Sequence, residues 1–294
     1  MRSLPEQTTI EMTASDGVEL VATLHTDHTA PETLPLLLLH GLSQQRWFWN
    51  PVLARSALPK VVVLDQRGHG ESDSPTTADF SVERCARDAL ELLDELGWSR
   101  CAVVGHSWGA SVALRMRSLA GHRIAATGLI DGGVWGPRRL GPREVVRERL
   151  RPPALGIPEG DLWALIQAQP GMIWNEENRE ALRATYRVDD QGLAWTRIGM
   201  ERHMAVLDGL LDYDPVDDLA LDAGSLWVVL CQSWADGDMT DAREQFLVTL
   251  PNIEQIQIQR WVGAVHDVPL QWPWLVAGLL TQICHEEHPG KASR

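Results

Sequence analysis

Gly105-His106-Ser107-Trp108-Gly109 is the stretch whose residue types and spacing best suit chemistry. A serine with glycine two residues away on each side reads as a nucleophile held on a sharp turn. Such a turn strains the backbone of its central residue and lifts the hydroxyl clear of the chain. Side chains at the two glycine positions would collide, and Ala110 keeps the following segment close. A serine hydroxyl attacks poorly until a base takes its proton. An acid must then orient that base, and two N–H groups must meet the negative charge that develops on the substrate. His106 adjoins Ser107 but faces away in a turn of this kind, so it reads as a structural neighbour.

The turn needs a strand before it and a helix after it, and the sequence supplies both. Residues 101–105 (CAVVG) form a short apolar run bounded by turn residues, and 110–119 carry a helical pattern. The same alternation runs along most of the chain. Residues 8–26 read as two strands around Ser15-Asp16-Gly17. Residues 34–39 (LPLLLL), 60–64 (KVVVL), 125–130, 226–231 and 253–259 are further strand candidates. Residues 82–96 and about 269–285 read as helices. Strands alternating with helices imply a mostly parallel sheet with helices on both faces. Between about 136 and 212 the alternation breaks into a proline-rich stretch followed by helical patterns with no clear strand. That divides the chain into a core domain of residues 1–135 and 213–294 and a helical cap insertion at 136–212.

Three landmarks in order carry a resemblance. His40-Gly41 ends the third strand, Asp65-Gln66-Arg67-Gly68-His69-Gly70-Glu71-Ser72 follows the fourth, and the Ser107 turn follows the fifth. The chain resembles a capped member of the α/β-hydrolase fold superfamily over nearly its whole length. The resemblance implies an α/β fold with a mostly parallel, eight-stranded-type sheet flanked by helices and an inserted helical cap. It also implies that Ser107 is the nucleophile and that His266, in Val262-Gly263-Ala264-Val265-His266-Asp267, is the base. Val265 stands where the family usually has glycine. The acid is expected after the strand at 226–231, where Asp236 is the first choice and Asp238 the next. Some relatives carry it after the preceding strand, which makes Asp131 a third option. The oxyanion donors implied are the amides of Leu42 and Trp108, with the Trp108 ring adding a wall. Asp65 and Arg67 are expected to hold their loop. Asp16, Glu71 and Asp73 read as turn or surface residues.

Composition narrows the partners. The net charge of -14 would repel a phosphate backbone, so nucleic acid is not expected. No apolar run reaches the length of a membrane span and no apolar leader opens the chain. A cytoplasmic enzyme acting on a small molecule is the expectation. The 4 cysteines show no metal or redox spacing, and no cofactor or metal is expected. Cys101 and Cys231 should pack as small hydrophobes. Tryptophan is frequent at 13 residues, and Trp47, Trp49 and Trp135 are candidates for lining a substrate pocket. Arg138, Arg139, Arg143, Arg147, Arg149 and Arg151 form a basic stretch that could guide an anionic substrate or an acidic carrier domain, or simply be a solvated helix face.

The function these residues point to is a serine hydrolase, esterase- or lactonase-like. It would cleave an ester, lactone or thioester of a small, partly apolar substrate through an acyl-enzyme on Ser107. Epoxide hydrolases and haloalkane dehalogenases of this fold carry Asp at the turn, and Ser107 argues against both. The alternatives are carbon–carbon bond cleavage, or a non-hydrolytic reaction such as cyclisation, elimination or acyl transfer. A ligand-binding protein without catalysis is a further alternative, against which the intact Ser107 and His266 count.

Overall fold

The computed structural model describes residues 5–73, 75–134, 136, 139, 141–152, 156–221, 223–233, 243–250 and 253–285. Its first element is a hairpin of β1 (Glu6–Thr13) and β2 (Glu19–Thr26). Gly17 turns it at a φ of 86°, a region open to glycine at little cost. β2 then pairs antiparallel with β4 (Lys60–Asp65), and β3 (Leu36–Leu39) enters between β4 and β5 (Cys101–His106). From β4 onward the pairing is parallel, through β6 (Ile124–Ile130), β10 (Ser225–Gln232) and β11 (Ile256–Val262). The result is an eight-stranded sheet in the order β1-β2-β4-β3-β5-β6-β10-β11.

The apolar runs are continuous because both faces of this sheet are covered. Side chains alternate between two core clusters. Leu37, Leu39, Val62, Leu64 and Val103 pack with α1 (Val82–Glu95) and α2 (Trp108–Leu119). Leu36, Leu38, Val61, Val63, Ala102 and Val104 pack with the C-terminal helix (Pro273–His285). The four β3 leucines are 0% exposed, which makes this strand the centre of the core. Ser81 caps α1 by accepting from the Arg84 amide at 3.1 Å.

The last helix differs from the expected single element. A short helical turn at Val268–Gln271 precedes it, and the break falls at Trp272, whose φ of -128° is non-helical. Trp272 comes before Pro273, and a residue before proline is pushed out of the helical region.

The segment between β6 and β10 is the larger surprise. It holds helices α3 (Arg143–Arg149), α4 (Glu159–Gln167), α5 (Glu176–Arg183) and α6 (Met200–Asp212). It also holds a three-stranded antiparallel sheet of β7 (Ile157–Pro158), β8 (Tyr186–Val188) and β9 (Leu193–Thr196), in the order β7-β9-β8. The expectation of helices alone is therefore corrected. These strands span 2 to 4 residues, too few for alternation to show in sequence. Cys85, Cys101, Cys231 and Cys284 are all buried.

Candidate active site

Ser107 stands at the junction of β5 and α2 with φ 55° and ψ -119°. A non-glycine residue held there is strained, and the surroundings have to enforce it. They do so by removing side chains. A Cβ on Gly105 would lie 2.0 Å from the Gly109 carbonyl oxygen, and one on Gly109 would lie 2.5 Å from the His40 carbonyl oxygen. Gly132, on the neighbouring strand end, is equally tight, since its Cβ would fall 2.1 Å from the Ser107 carbonyl oxygen. The turn thus needs glycine at 132 as well as at 105 and 109.

His266 lies in the loop after β11 and brings Nε2 to 2.9 Å from Ser107 Oγ. Its Nδ1 is 2.6 Å from Asp131 Oδ2. Asp131 follows β6 directly and has a φ of 48°. The partner of the imidazole is therefore the third option raised from the sequence. Asp236 and Asp238 lie outside the described residues, and the position at Nδ1 that either was expected to fill is taken by Asp131. The Cys231 amide donates to Asp131 Oδ1 at 3.2 Å and the Arg243 guanidinium does so at 2.6 Å. Both carboxylate oxygens are thereby engaged on a side chain only 5% exposed.

The electrostatics follow from these contacts. Burial favours the neutral acid at Asp131, but the His266 hydrogen bond, the charge of His266 and the Arg243 charge outweigh it and hold the carboxyl below its ordinary range. The His266 side chain is half exposed, and such water as the ring does lose favours the neutral form. The Asp131 hydrogen bond and charge, with Asp267 adding, outweigh that and hold it above the ordinary histidine value.

Several residues that sequence reasoning passed over hold the site in place. Gln44 accepts from the Gly41 amide at 3.0 Å and donates to Asp267 Oδ1 at 2.9 Å, tying the loop after β3 to the His266 loop. Gln271 accepts from the Val265 amide at 2.8 Å and donates to the Gly263 carbonyl at 3.1 Å. His106 is a structural neighbour as expected, with its Nε2 2.7 Å from the His266 carbonyl oxygen. His40 Nε2 accepts from the Gln66 amide at 3.1 Å. His69 Nε2 accepts from the Ser43 amide at 3.2 Å. Both rings are thus neutral, and burial pushes them down to about 4 and about 3 respectively. A motif scan offers no signal for Gln44 or Gln271, because neither falls inside a motif.

The departure at Val265 has a structural answer. A Cβ on Gly171, in the segment between α4 and α5, would meet Val265 Cγ1 at 2.4 Å. The valine beside His266 occupies space that this glycine leaves open. α6 reaches the other side of the site, where His203 Nδ1 is 2.6 Å from Ser43 Oγ. Ser43 follows Leu42, one of the two expected oxyanion donors. Gly41 lies against Ser107, since its Cβ would come within 3.1 Å of Ser107 Cβ. Trp108 supplies the first amide of α2, one that a helix leaves without an intrahelical partner.

The tryptophan expectations fare differently. Trp49 is 0% exposed and packs edge-on to Phe48 in the core, so it is not a pocket wall. The large apolar ring is more stabilising against β3 than facing water. Trp47 is half-buried with the Arg46 guanidinium 4.4 Å from its ring centre. The Trp108 ring is buried and stacks on His69 at 5.1 Å rather than forming a wall. Trp135 lies outside the described residues, as does Arg138.

The basic stretch is largely paired. Arg147 holds Asp208 at 2.8 Å, and Arg143 reaches Asp208 at 3.2 Å and also Asp212, both acids on α6. Arg151 reaches Glu148 at 3.6 Å and Arg139 reaches Asp214 at 3.6 Å. Asp65 and Arg67 hold their loop as expected. Asp65 accepts from the Arg46 amide at 2.7 Å and the Glu71 amide at 2.9 Å. Arg67 binds Asp88 at 2.5 Å and Asp16 at 2.9 Å, so Asp16 is more than a surface turn residue. Glu71 likewise binds Arg46, at 2.6 Å.

With this geometry in hand, comparison with known proteins is informative. A family profile described as alpha/beta hydrolase fold matches residues 35–201. Soluble epoxide hydrolase of Corynebacterium sp. (strain C12) is 41% identical over 86 residues, which is 29% of this chain and 30% of that protein. Epoxide hydrolase A of Mycobacterium tuberculosis is 28% identical over 157 residues, 52% of this chain and 46% of that protein. These matches cover less than half of each relative's length. Among solved structures, E-2-(acetamidomethylene)succinate hydrolase superposes with a TM-score of 0.72 at 18% identity, covering 95% of this chain and 99% of that one. The thioesterase domain from the curacin biosynthetic pathway gives 0.71 at 18% identity, covering 95% and 100%. At such identity the likeness concerns the fold. Among the described residues, no helix is long and apolar enough to cross a membrane.

Proposed function

The chain belongs to the alpha/beta hydrolase fold family, and from that premise we propose that it is a serine hydrolase cleaving an ester, lactone or thioester of a small molecule. The observation that carries the proposal is the unbroken relay from Ser107 Oγ to His266 Nε2 at 2.9 Å and from His266 Nδ1 to Asp131 Oδ2 at 2.6 Å.

In this reading His266 takes the Ser107 proton as Oγ attacks the carbonyl carbon. The carbonyl oxygen becomes an oxyanion that receives the Leu42 and Trp108 amides. His266, charged and held by Asp131, gives its proton to the leaving oxygen or sulfur as that bond breaks. It next takes a proton from water, which attacks the acyl carbon, and the acid product leaves with Ser107 restored.

Two matched relatives carry the name epoxide hydrolase, and the chemistry of the nucleophile argues for a different substrate here. Opening an epoxide with a carboxylate leaves an ester, which water can cleave at its acyl carbon. Opening it with Ser107 would leave an ether, which has no such carbon and would end the cycle after one event.

The test is repeated turnover of short p-nitrophenyl esters by wild type and by Ser107→Ala. The proposal expects turnover by wild type and a loss of roughly 10⁴-fold or more in the variant. Equal rates in both, or a single burst from wild type, would overturn it.

A further inference from the structure

We propose that Arg243 is a positioning residue of the relay: held on Asp131 Oδ1 beside the Cys231 amide, it limits the negative charge that the carboxylate presents to the His266 imidazole. This rests on the Ser107 hydrolase reading.

The contact is close and sheltered. Arg243 NH1 lies 2.6 Å from Asp131 Oδ1, and the two side chains are 17% and 5% exposed. Arg243 belongs to a helical stretch at residues 243–247, beyond β10. The arrangement is therefore the reverse of the one expected from the sequence. The region after β10, where an acid was expected, sends back a cation, while the acid comes from the end of β6. Asp131 divides its two oxygens between these duties: Oδ2 serves His266, and Oδ1 serves Arg243 and the Cys231 amide. A carboxylate held at both oxygens cannot rotate about its terminal bond without breaking charge-assisted contacts.

The electrical consequence has a definite sign. The charged groups acting on His266 are Asp131 and Asp267, which favour imidazolium, and Arg243, which opposes it; His106 lies against its ring with centroids 4.9 Å apart. Arg243 thus offsets part of what Asp131 does to the base. It keeps His266 neutral over a wider pH range, and only the neutral ring can accept the Ser107 proton. Glu244, the next residue, is engaged by Arg260 at 2.6 Å and does not compete for Arg243.

The test compares wild type with Arg243→Met, Arg243→Gln and Arg243→Lys. The His266 ring is titrated by NMR, with its signal assigned from Arg243-intact His266→Gln, and kcat/KM for a p-nitrophenyl ester is followed against pH. Circular dichroism and Tm establish that each variant is folded, and the two neutral variants guard against the failure of one. The proposal predicts that both neutral variants move the His266 titration to higher pH by roughly half a unit or more. The acid limb of kcat/KM moves with it, and Arg243→Lys stays near wild type. A residue that merely supports the fold would lower Tm and leave the titration in place. Superimposed titrations in wild type and the neutral variants would overturn the proposal. If wild type hydrolyses no ester, the hydrolase reading fails, yet the NMR titration still decides whether Arg243 acts on His266.

Discussion

In the proposed reaction Asp131 is the residue on which the chemistry turns. It holds His266 Nδ1, the contact that makes His266 a base in that reaction, and it stands where Gly132 brings the strand end against Ser107. Replacing it with Asn keeps the shape but offers an amide where Nδ1–H needs an acceptor, and it removes the charge that steadies imidazolium. Asp131→Asn is expected to lower kcat by about 10³-fold or more with little change in KM, whereas Asp236→Asn leaves steady-state ester kinetics close to wild type. Because His266 is held above the ordinary histidine value, wild-type kcat/KM should rise with pH through an acid limb lying above pH 6.5. The Ser107–His266 contact was legible in sequence because the turn and the terminal loop each impose a local pattern. The carboxylate that meets the imidazole was not, because its position depends on which strand end reaches Nδ1 in space. Asp131 and Asp236 both follow apolar strands, and no local spacing tells them apart.

Elements decide how firmly that geometry is held. The long strands and α1 were readable since apolar runs and helical periodicity extend over enough residues. β7, β8 and β9 were hidden by their brevity, and the contact of Gly171 with Val265 joins segments too far apart for spacing to reveal. That contact makes a specific prediction. Gly171→Ala places a Cβ 2.4 Å from Val265 Cγ1 on a backbone with φ 80°. The His266 loop must yield, so kcat/KM should fall. Adding Val265→Gly should recover part of the activity, though not the backbone strain, and a double-mutant cycle on kcat/KM and Tm measures the coupling. Gly105→Ala offers no such escape. Its Cβ would sit 2.0 Å from the Gly109 carbonyl oxygen, and loss of about 3 kcal/mol or more is expected in denaturant unfolding.

Across the whole molecule, buried histidines set the response to acid. Burial holds His25, His40, His106 and His203 at about 4 and His69 at about 3. In the unfolded chain each would titrate near about 6.5. Between these values the unfolded chain takes up protons that the fold refuses, so stability falls as pH drops from neutrality toward 4. His266 works in the opposite sense, since its raised value favours the fold at lower pH, but among the described histidines with shifted values it stands alone against five. Tm measured from pH 7.5 to 5 should therefore fall steadily, and a flat profile would mean that these rings are open to water.

The relay itself is tested most directly by labelling with a fluorophosphonate, which reacts with a serine only when a base activates it. Peptide mapping of wild type should find one adduct, on Ser107. The labelling rate should drop by about 100-fold or more in Asp131→Asn and remain near wild type in Asp236→Asn. An adduct elsewhere, no adduct at all, or equal labelling of Asp131→Asn and wild type would contradict the Ser107–His266–Asp131 account.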